Sequence, residues 1–315
     1  MERRTRLLER DEGRNKAVYL RLVDEVFNDG RFDGVEDLFT ADFLDHARPR
    51  LAPVGIAGVR IVPRRIRYAF PNIRLTVEDI IGEGDLIAAR VTARGTHLRP
   101  FRGIEPTGLP VEWTVMDFFR FREGRVAERW STVDSQTLLE QLGAIPSSPS
   151  EPPEYLGLTP EQCAELASLE RCAPDPEASK AIFRHYIEMM FNRHDLSELD
   201  RWLAPGYAYR FMGQTVRGID GHEATVCHFL RSFPDARKEV LQIVAEGDRV
   251  AALWRFTGTH TGWFEGVAPT ATAVEYLGIT FEQIRGGRRL QGWGCADLAG
   301  LLGQIGGIPA KYASK

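Results

Sequence analysis

Residues 95–134 read GTHLRPFRGIEPTGLPVEWTVMDFFRFREGRVAERWSTVD, and residues 258–297 read GTHTGWFEGVAPTATAVEYLGITFEQIRGGRRLQGWGCAD. Gly95-Thr96-His97, Phe101, Gly103, Pro106-Thr107, Val111-Glu112, Phe118, Trp130 and Asp134 return as Gly258-Thr259-His260, Phe264, Gly266, Pro269-Thr270, Val274-Glu275, Phe281, Trp293 and Asp297. The offset is 163 for every pair, and it extends outward to Phe70-Pro71 with Phe233-Pro234 and to Gly143-Ala144-Ile145-Pro146 with Gly306-Gly307-Ile308-Pro309. Upstream it becomes 164, Phe27-Asn28 matching Phe191-Asn192, so one residue of length changes between His46 and Phe70. A repeat this long is a domain rather than a solenoid unit. The 315 residues hold two such domains, each able to bury its own core. The expected division is a first domain over 1–146, a connector over 147–176 and a second domain over 177–315.

The chain is 43% hydrophobic and 27% charged with a formal net charge of −4, the balance of a globular protein. That charge advertises no nucleic-acid partner, and no apolar run approaches the roughly 18–20 residues that span a bilayer. Met1 to Lys16 is dense in Arg and Glu, which excludes the apolar segment of a secretory signal there and makes the cytoplasm the expected location. Cys163, Cys172, Cys227 and Cys295 lack metal-ligand spacing, so reduced thiols and no metal are expected.

Within the first copy the hydrophobic period is helical and then switches to two. Val18, Leu22, Val23, Val26 and Phe27 predict a helix from about Asn15 to the Asn28-Asp29-Gly30 stop. A short helix over Phe32–Phe39, a strand over Phe43–His46 and a helix over Ile56–Ala69, interrupted or entered at Pro63, follow. Hairpins are predicted about Gly82-Glu83-Gly84-Asp85 and Glu123-Gly124, with a closing helix over Ser135–Leu142. The second copy repeats the series, and Thr159-Pro160-Glu161-Gln162 reads as a capped helix start inside the Pro- and Ser-rich connector. Helices first and antiparallel strands after them give an α+β class: a curved sheet covering three helices and leaving a hollow.

On the last strand Asp134 shares a face with Thr132, Trp130 and Glu128. A carboxylate beside Trp130 in an apolar hollow would have its pKa raised toward proton-transfer range, with His46 and His97 as second proton handlers. Asp45, Trp113, Asp117, Phe119 and Trp130 complete the expected pocket. Asp134 equally suits the cap of the closing helix, and His97, repeated as His260, equally suits a structural hydrogen bond.

Phe70-Pro71, Gly95-Thr96-His97, Pro106-Thr107-Gly108, Gly124-Arg125-Val126 and Glu128-Arg129-Trp130 with Asp134 resemble the SnoaL-like polyketide cyclases, sometimes labelled ester cyclases. The resemblance covers most of 15–146 and, more loosely, 177–309. It implies two tandem cone-shaped domains of the nuclear-transport-factor-like superfamily, each enclosing an apolar cavity and working without metal or organic cofactor. It also implies an acid/base aspartate at the Asp134 position and an Asp-His pair, here Asp45-His46, facing the cavity. In the second half those two become Tyr209 and Arg210 while Asp297, His260 and Trp293 persist, so that domain is expected to be degenerate.

The expected activity is therefore ring closure in a small hydrophobic, polyketide-like substrate by general acid/base catalysis. Epoxide hydrolysis or epoxide-opening ether formation is the alternative, drawing on two of Asp45, Asp117 and Asp134 with Arg65 or Arg90 to orient them. Shape-driven pericyclic closure and a non-catalytic binding module also stay open. In each case the two domains are expected to pair as a pseudo-dimer within the chain.

Overall fold

The computed structural model describes residues 2–47, 55–147, 157–211, 213–309 and 311–313. It divides into two compact units, Met1–Ser147 and Ser148–Ala313. The expected Pro- and Ser-rich linker falls largely on residues 148–156, outside the described residues.

In the first unit, helix α1 (Glu2–Arg21) starts well before the expected Asn15 and continues as a π-helical turn, Leu22–Asn28. Tyr19, Leu22, Val23 and Val26, spaced three and four apart, form its buried stripe. Asn28 ends it by accepting from the Leu75 amide at 2.7 Å and donating to the Leu75 carbonyl at 3.0 Å, which pins the helix to the sheet. A 3-10 turn, Val35–Leu38, replaces the expected second helix, and strand β1 (Phe39–Asp45) begins earlier than predicted. The next helix is broken at Arg60 into α2 (Ile56–Val59) and α3 (Ile61–Ala69). Pro63 is the third residue of α3, where a backbone N–H would have no intrahelical acceptor, so the proline opens the helix without kinking it.

Strands β2 (Arg74–Glu83), β3 (Leu86–Thr96), β4 (Pro110–Arg122) and β5 (Arg125–Val133) follow, and α4 (Ser135–Gln141) closes the unit. The sheet order is β1-β5-β4-β3-β2, antiparallel except for the parallel β1–β5 pair. Glu123 and Gly124, at φ 54° and 72°, make the tight turn that the β4–β5 hairpin twist favours. Beyond it a bulge shifts the register: Phe121 pairs with Val126, but Arg120 pairs with Glu128. Ala127 is the extra residue.

The second unit starts with α5 (Pro160–Glu170), whose Thr159–Gln162 capping box is formed as predicted. Then come α6 (Pro176–Ile187) with its own π turn, α7 (Leu199–Trp202), β6 (Leu203–Phe211), a short unpredicted β7 (Gln214–Arg217) and α8 (Gly218–Ser232). Strands β8 (Arg237–Glu246), β9 (Arg249–Thr259), β10 (Ala273–Arg285) and β11 (Arg288–Ala296) and helix α9 (Leu298–Gln304) complete it. Its sheet order, β7-β6-β11-β10-β9-β8, repeats the first with β7 added at the edge. Asp45 faces Arg129 and Tyr209 faces Gly292, so the change of offset from 163 to 164 is a relation between paired strands.

Candidate active site

In the first unit, helices and the concave face of the sheet enclose a cavity of about 130 Å³. Its walls are apolar: Leu22, Val23 and Phe27 from the first helix, Phe39 and Phe43 from β1, Val62 and Ile66 from α3, and Trp113, Val115, Phe119 and Val133 from the β4–β5 hairpin. Trp113 packs on Phe70 at 5.3 Å, and Phe119 meets Tyr19 edge-on at 5.1 Å.

Four polar side chains reach into this lining: Tyr19, Asp45, Asp117 and Arg129. The Arg129 guanidinium lies between the two carboxylates, 3.5 Å from Asp45 Oδ2 through Nη1 and 3.6 Å from Asp117 Oδ1 through Nη2. Burial opposes the charge on Arg129, but Asp45 and Asp117 outweigh it and hold the group above its ordinary range. Tyr19 donates to Asp117 Oδ2 at 2.8 Å; burial, then the neighbouring Asp117 charge, keep its proton on well above the usual phenol range. Asp45 Oδ1 is taken by the Ala47 amide at 3.0 Å. Asp117 Oδ1, by contrast, accepts no hydrogen bond from any described residue. Its charged neighbour is Arg129 Nη2 at 3.6 Å, beyond hydrogen-bond reach.

Asp45, Trp113, Asp117 and Phe119 thus line the cavity as expected, whereas four other expected groups lie elsewhere. Trp130 sits on the opposite face of β5 and stacks on His46 at 4.5 Å. His46, just past β1, binds Glu128 Oε2 at 2.9 Å on that same side. His97 is buried in its turn, its Nδ1 accepting from the Thr107 amide at 3.3 Å, and burial lowers its pKa. Asp134 caps α4, its Oδ1 accepting from the Thr137 amide at 3.0 Å.

The bulge at Ala127 explains the exchange of faces. A regular ladder from the Glu123-Gly124 turn would set Trp130 opposite Asp117; the inserted residue sets Ser131 there and Trp130 opposite Phe118. The face carrying Arg129 and Val133 therefore meets the cavity, and the face carrying Glu128, Trp130 and Asp134 does not. Asp134 nonetheless has the raised pKa that was expected of it, about 6, because burial outweighs the Thr137 hydrogen bonds.

The second unit acts as an internal control. Asp297 caps α9 through the Gly300 amide at 3.0 Å, and His260 Nδ1 lies 3.0 Å from Thr270 Oγ1, so both residues persist with structural roles. Arg210 lies over Trp293 at 5.3 Å and reaches Gln291 at 3.4 Å, repeating the His46, Trp130 and Glu128 arrangement. The cavity groups do not persist: Tyr19, Asp45, Asp117 and Arg129 become Phe183, Tyr209, Thr280 and Gly292. Tyr19 and Arg129 were not among the residues singled out from sequence. That polar-to-apolar contrast between the copies is the signal that would have found them. Among the described residues no three His, Cys, Asp or Glu side chains converge as metal ligands, and no helix is long and apolar enough to cross a membrane.

The comparisons agree with this duplication. Similar solved structures include AclR of Streptomyces galilaeus, named as a candidate hydroxylase, at 30% identity over 43% of this chain and 99% of its own (TM-score 0.39). IdmH of Streptomyces antibioticus, named as a candidate polyketide cyclase, matches at 36% identity over 41% of this chain and 98% of its own (TM-score 0.37). TsrD of Streptomyces laurentii matches at 25% identity over 42% and 97% (TM-score 0.39). No curated protein matches the chain. The family model described as SnoaL-like polyketide cyclase matches twice, at residues 17–142 and 180–305. The chain therefore belongs to the SnoaL-like polyketide cyclase family, with the family's domain present in two tandem copies.

Proposed function

We propose that the protein is an enzyme whose first-unit cavity closes a ring in a small hydrophobic, polyketide-like substrate, with Asp117 as the proton-transfer group. Asp117 Oδ1, buried among the cavity-lining side chains without a hydrogen bond from any described residue, carries this reading. Asp117 removes a proton from a carbon next to a carbonyl; Arg129 donates to the oxygen on which charge develops, and Tyr19 holds Asp117 in place through its one O–H. The carbanion attacks a second carbonyl of the same chain, and Asp117 returns the proton to the new alkoxide. Asp45 holds Arg129 in place, the apolar walls fold the substrate, and every step falls to this chain's own side chains. Asp134, His46 and His97 support the scaffold, and the second unit lacks this chemistry.

A probe that needs only a base in an apolar pocket tests the assignment without the native substrate. 5-Nitrobenzisoxazole opens its ring when one carbon-bound proton is removed. Asp117→Asn should lower its turnover by about 10²–10⁴-fold, as expected for a lost general base, while Asp134→Asn leaves it unchanged. The reverse pattern overturns the assignment.

One observation favours a second reading. Two carboxylates bridged by one guanidinium suit epoxide opening, where one activates the nucleophile and the other protonates the leaving oxygen. Turnover of styrene oxide to its diol, lost in both Asp45→Asn and Asp117→Asn, would select it. Internal pairing of the two halves is also proposed; small-angle scattering from two separated bodies on a tether would refute it.

A further inference from the structure

The second unit has not simply lost the polar groups of the first; it has gained others at positions where the first is apolar. Phe43, Leu75, Phe119 and Val126 correspond to Tyr207, Lys238, Glu282 and Arg289. The exchange is coordinated across the hairpin. Phe119 pairs with Arg129, whereas Glu282 pairs with Gly292, where any side chain would run into the Glu282 carboxylate. Glu282 is held by Arg289 and by Tyr207 Oη at 3.1 Å, and Arg289 Nη2 donates to Tyr207 Oη at 3.0 Å. Arg289 also lies 3.5 Å under the Tyr186 ring.

This leaves donors without acceptors around a cavity of about 90 Å³. Lys238 Nζ lines it between two aromatic faces, 3.6 Å from the Phe191 centroid and 4.0 Å from that of Trp254, and no carboxylate among the described residues pairs with it. Its backbone is fixed by Asn192, at 2.9 and 3.1 Å, so the ammonium is delivered to that place by a rigid strand. His222 bonds the Tyr186 hydroxyl through Nε2, and its buried Nδ1 has no partner; Nε and Nη1 of Arg289 are also unpartnered. Burial and the charges of Arg289 and Lys238 keep His222 neutral, and a neutral ring accepting at Nε2 carries an N–H at Nδ1. Two ring faces offset only part of the cost of burying an ammonium. Burial and the Arg289 charge accordingly push Lys238 down to about 7. With Lys238 charged, this cavity holds two cations against one carboxylate, whereas the first holds two carboxylates against one cation.

We propose that the second-unit cavity is a binding site for a small aromatic carboxylate, its charge received by Lys238 and its ring by the surrounding aromatic side chains. The half-buried ammonium, paired with no carboxylate among the described residues, supplies the charge recognition, and Tyr209, Phe211, Phe229 and Tyr276 in the same lining supply the aromatic surround.

The test uses the full-length chain, with benzoate as the probe, titrated calorimetrically at pH 6.5. One site is expected, with benzamide, the neutral isostere, binding at least about tenfold more weakly. Lys238→Met should weaken benzoate by a similar factor while raising the melting temperature, because it removes a half-buried charge. Thr280→Asp, which restores the carboxylate of the first unit, should weaken it as well. Asp117→Asn should leave it unchanged. Absence of benzoate binding up to about 10 mM, equal binding of benzamide, or benzoate affinity that survives Lys238→Met would overturn the proposal. So would loss of binding in Asp117→Asn alone, which would move the ligand to the first cavity.

Discussion

The Tyr19 hydroxyl donates to Asp117 Oδ2 at 2.8 Å, tying the first helix to the fourth strand inside the first-unit cavity. Both partners are buried, so neither can turn to water if the other is removed. Tyr19→Phe should therefore cost about 1–3 kcal/mol through the orphaned carboxylate oxygen. The ring itself fits without its hydroxyl, since Phe183 fills the matching place in the second unit and is 1% exposed. Urea unfolding checks this: a lowered midpoint with an unchanged slope is expected. No change would mean that the hydrogen bond is already satisfied by solvent.

Arg129 is the counter-charge for two carboxylates at once. Arg129→Met should cost about 3–5 kcal/mol, because it leaves Asp45 and Asp117 facing each other uncompensated. The double variant Arg129→Met with Asp45→Asn should recover a large part of that loss, as the second unit does by carrying neither carboxylate beside Gly292. Equal stability of the single and double variants, measured in the same denaturant series, would show that Arg129 acts through packing rather than charge.

The duplication made the architecture legible from sequence: strand ends at Arg122, Arg125 and Val133 and the capping box at Thr159 follow from turn and cap chemistry alone. The site was half legible. Asp45 and Asp117 stand where expected, but the choice of face on β5 depended on one bulged residue, Ala127, which no hydrophobic pattern announces. Trp130 and Phe119 cannot share a face once Phe118 pairs with Trp130, so placing both in the cavity was incompatible with the real register. The duplicate held the correction, because Asp134 and His97 survive in it and the cavity groups do not.

That reversal of faces has a direct test at His46. Its imidazole stacks on Trp130 and bonds Glu128 away from the cavity, and Arg210 fills the same role in the second unit. His46→Ala should cost about 0.5–1.5 kcal/mol from the lost stacking and leave 5-nitrobenzisoxazole turnover within about twofold of the parent. A large loss of turnover with normal stability would put the imidazole back into the chemistry.

Asp134 gives the clearest pH signature. The residue is 2% exposed, and burial, opposed by the Thr137 hydrogen bonds and reinforced by Glu140, raises its pKa from 3.8 to about 6. Well below pH 4 it is protonated in both folded and unfolded chains and makes no difference to stability. Between about 4 and 6 the unfolded chain ionises first, so stability falls as pH rises, and above 6 the full cost, roughly 3 kcal/mol, is in place. Asparagine caps a helix as well as aspartate does and never ionises. Asp134→Asn should therefore be more stable than the parent by up to roughly 3 kcal/mol at pH 7.5, with the two curves converging well below pH 4. Denaturant midpoints across that range measure the difference. A gap independent of pH would show that the buried charge is not its source, and loss of probe turnover in the same variant would return the proton-transfer role to Asp134.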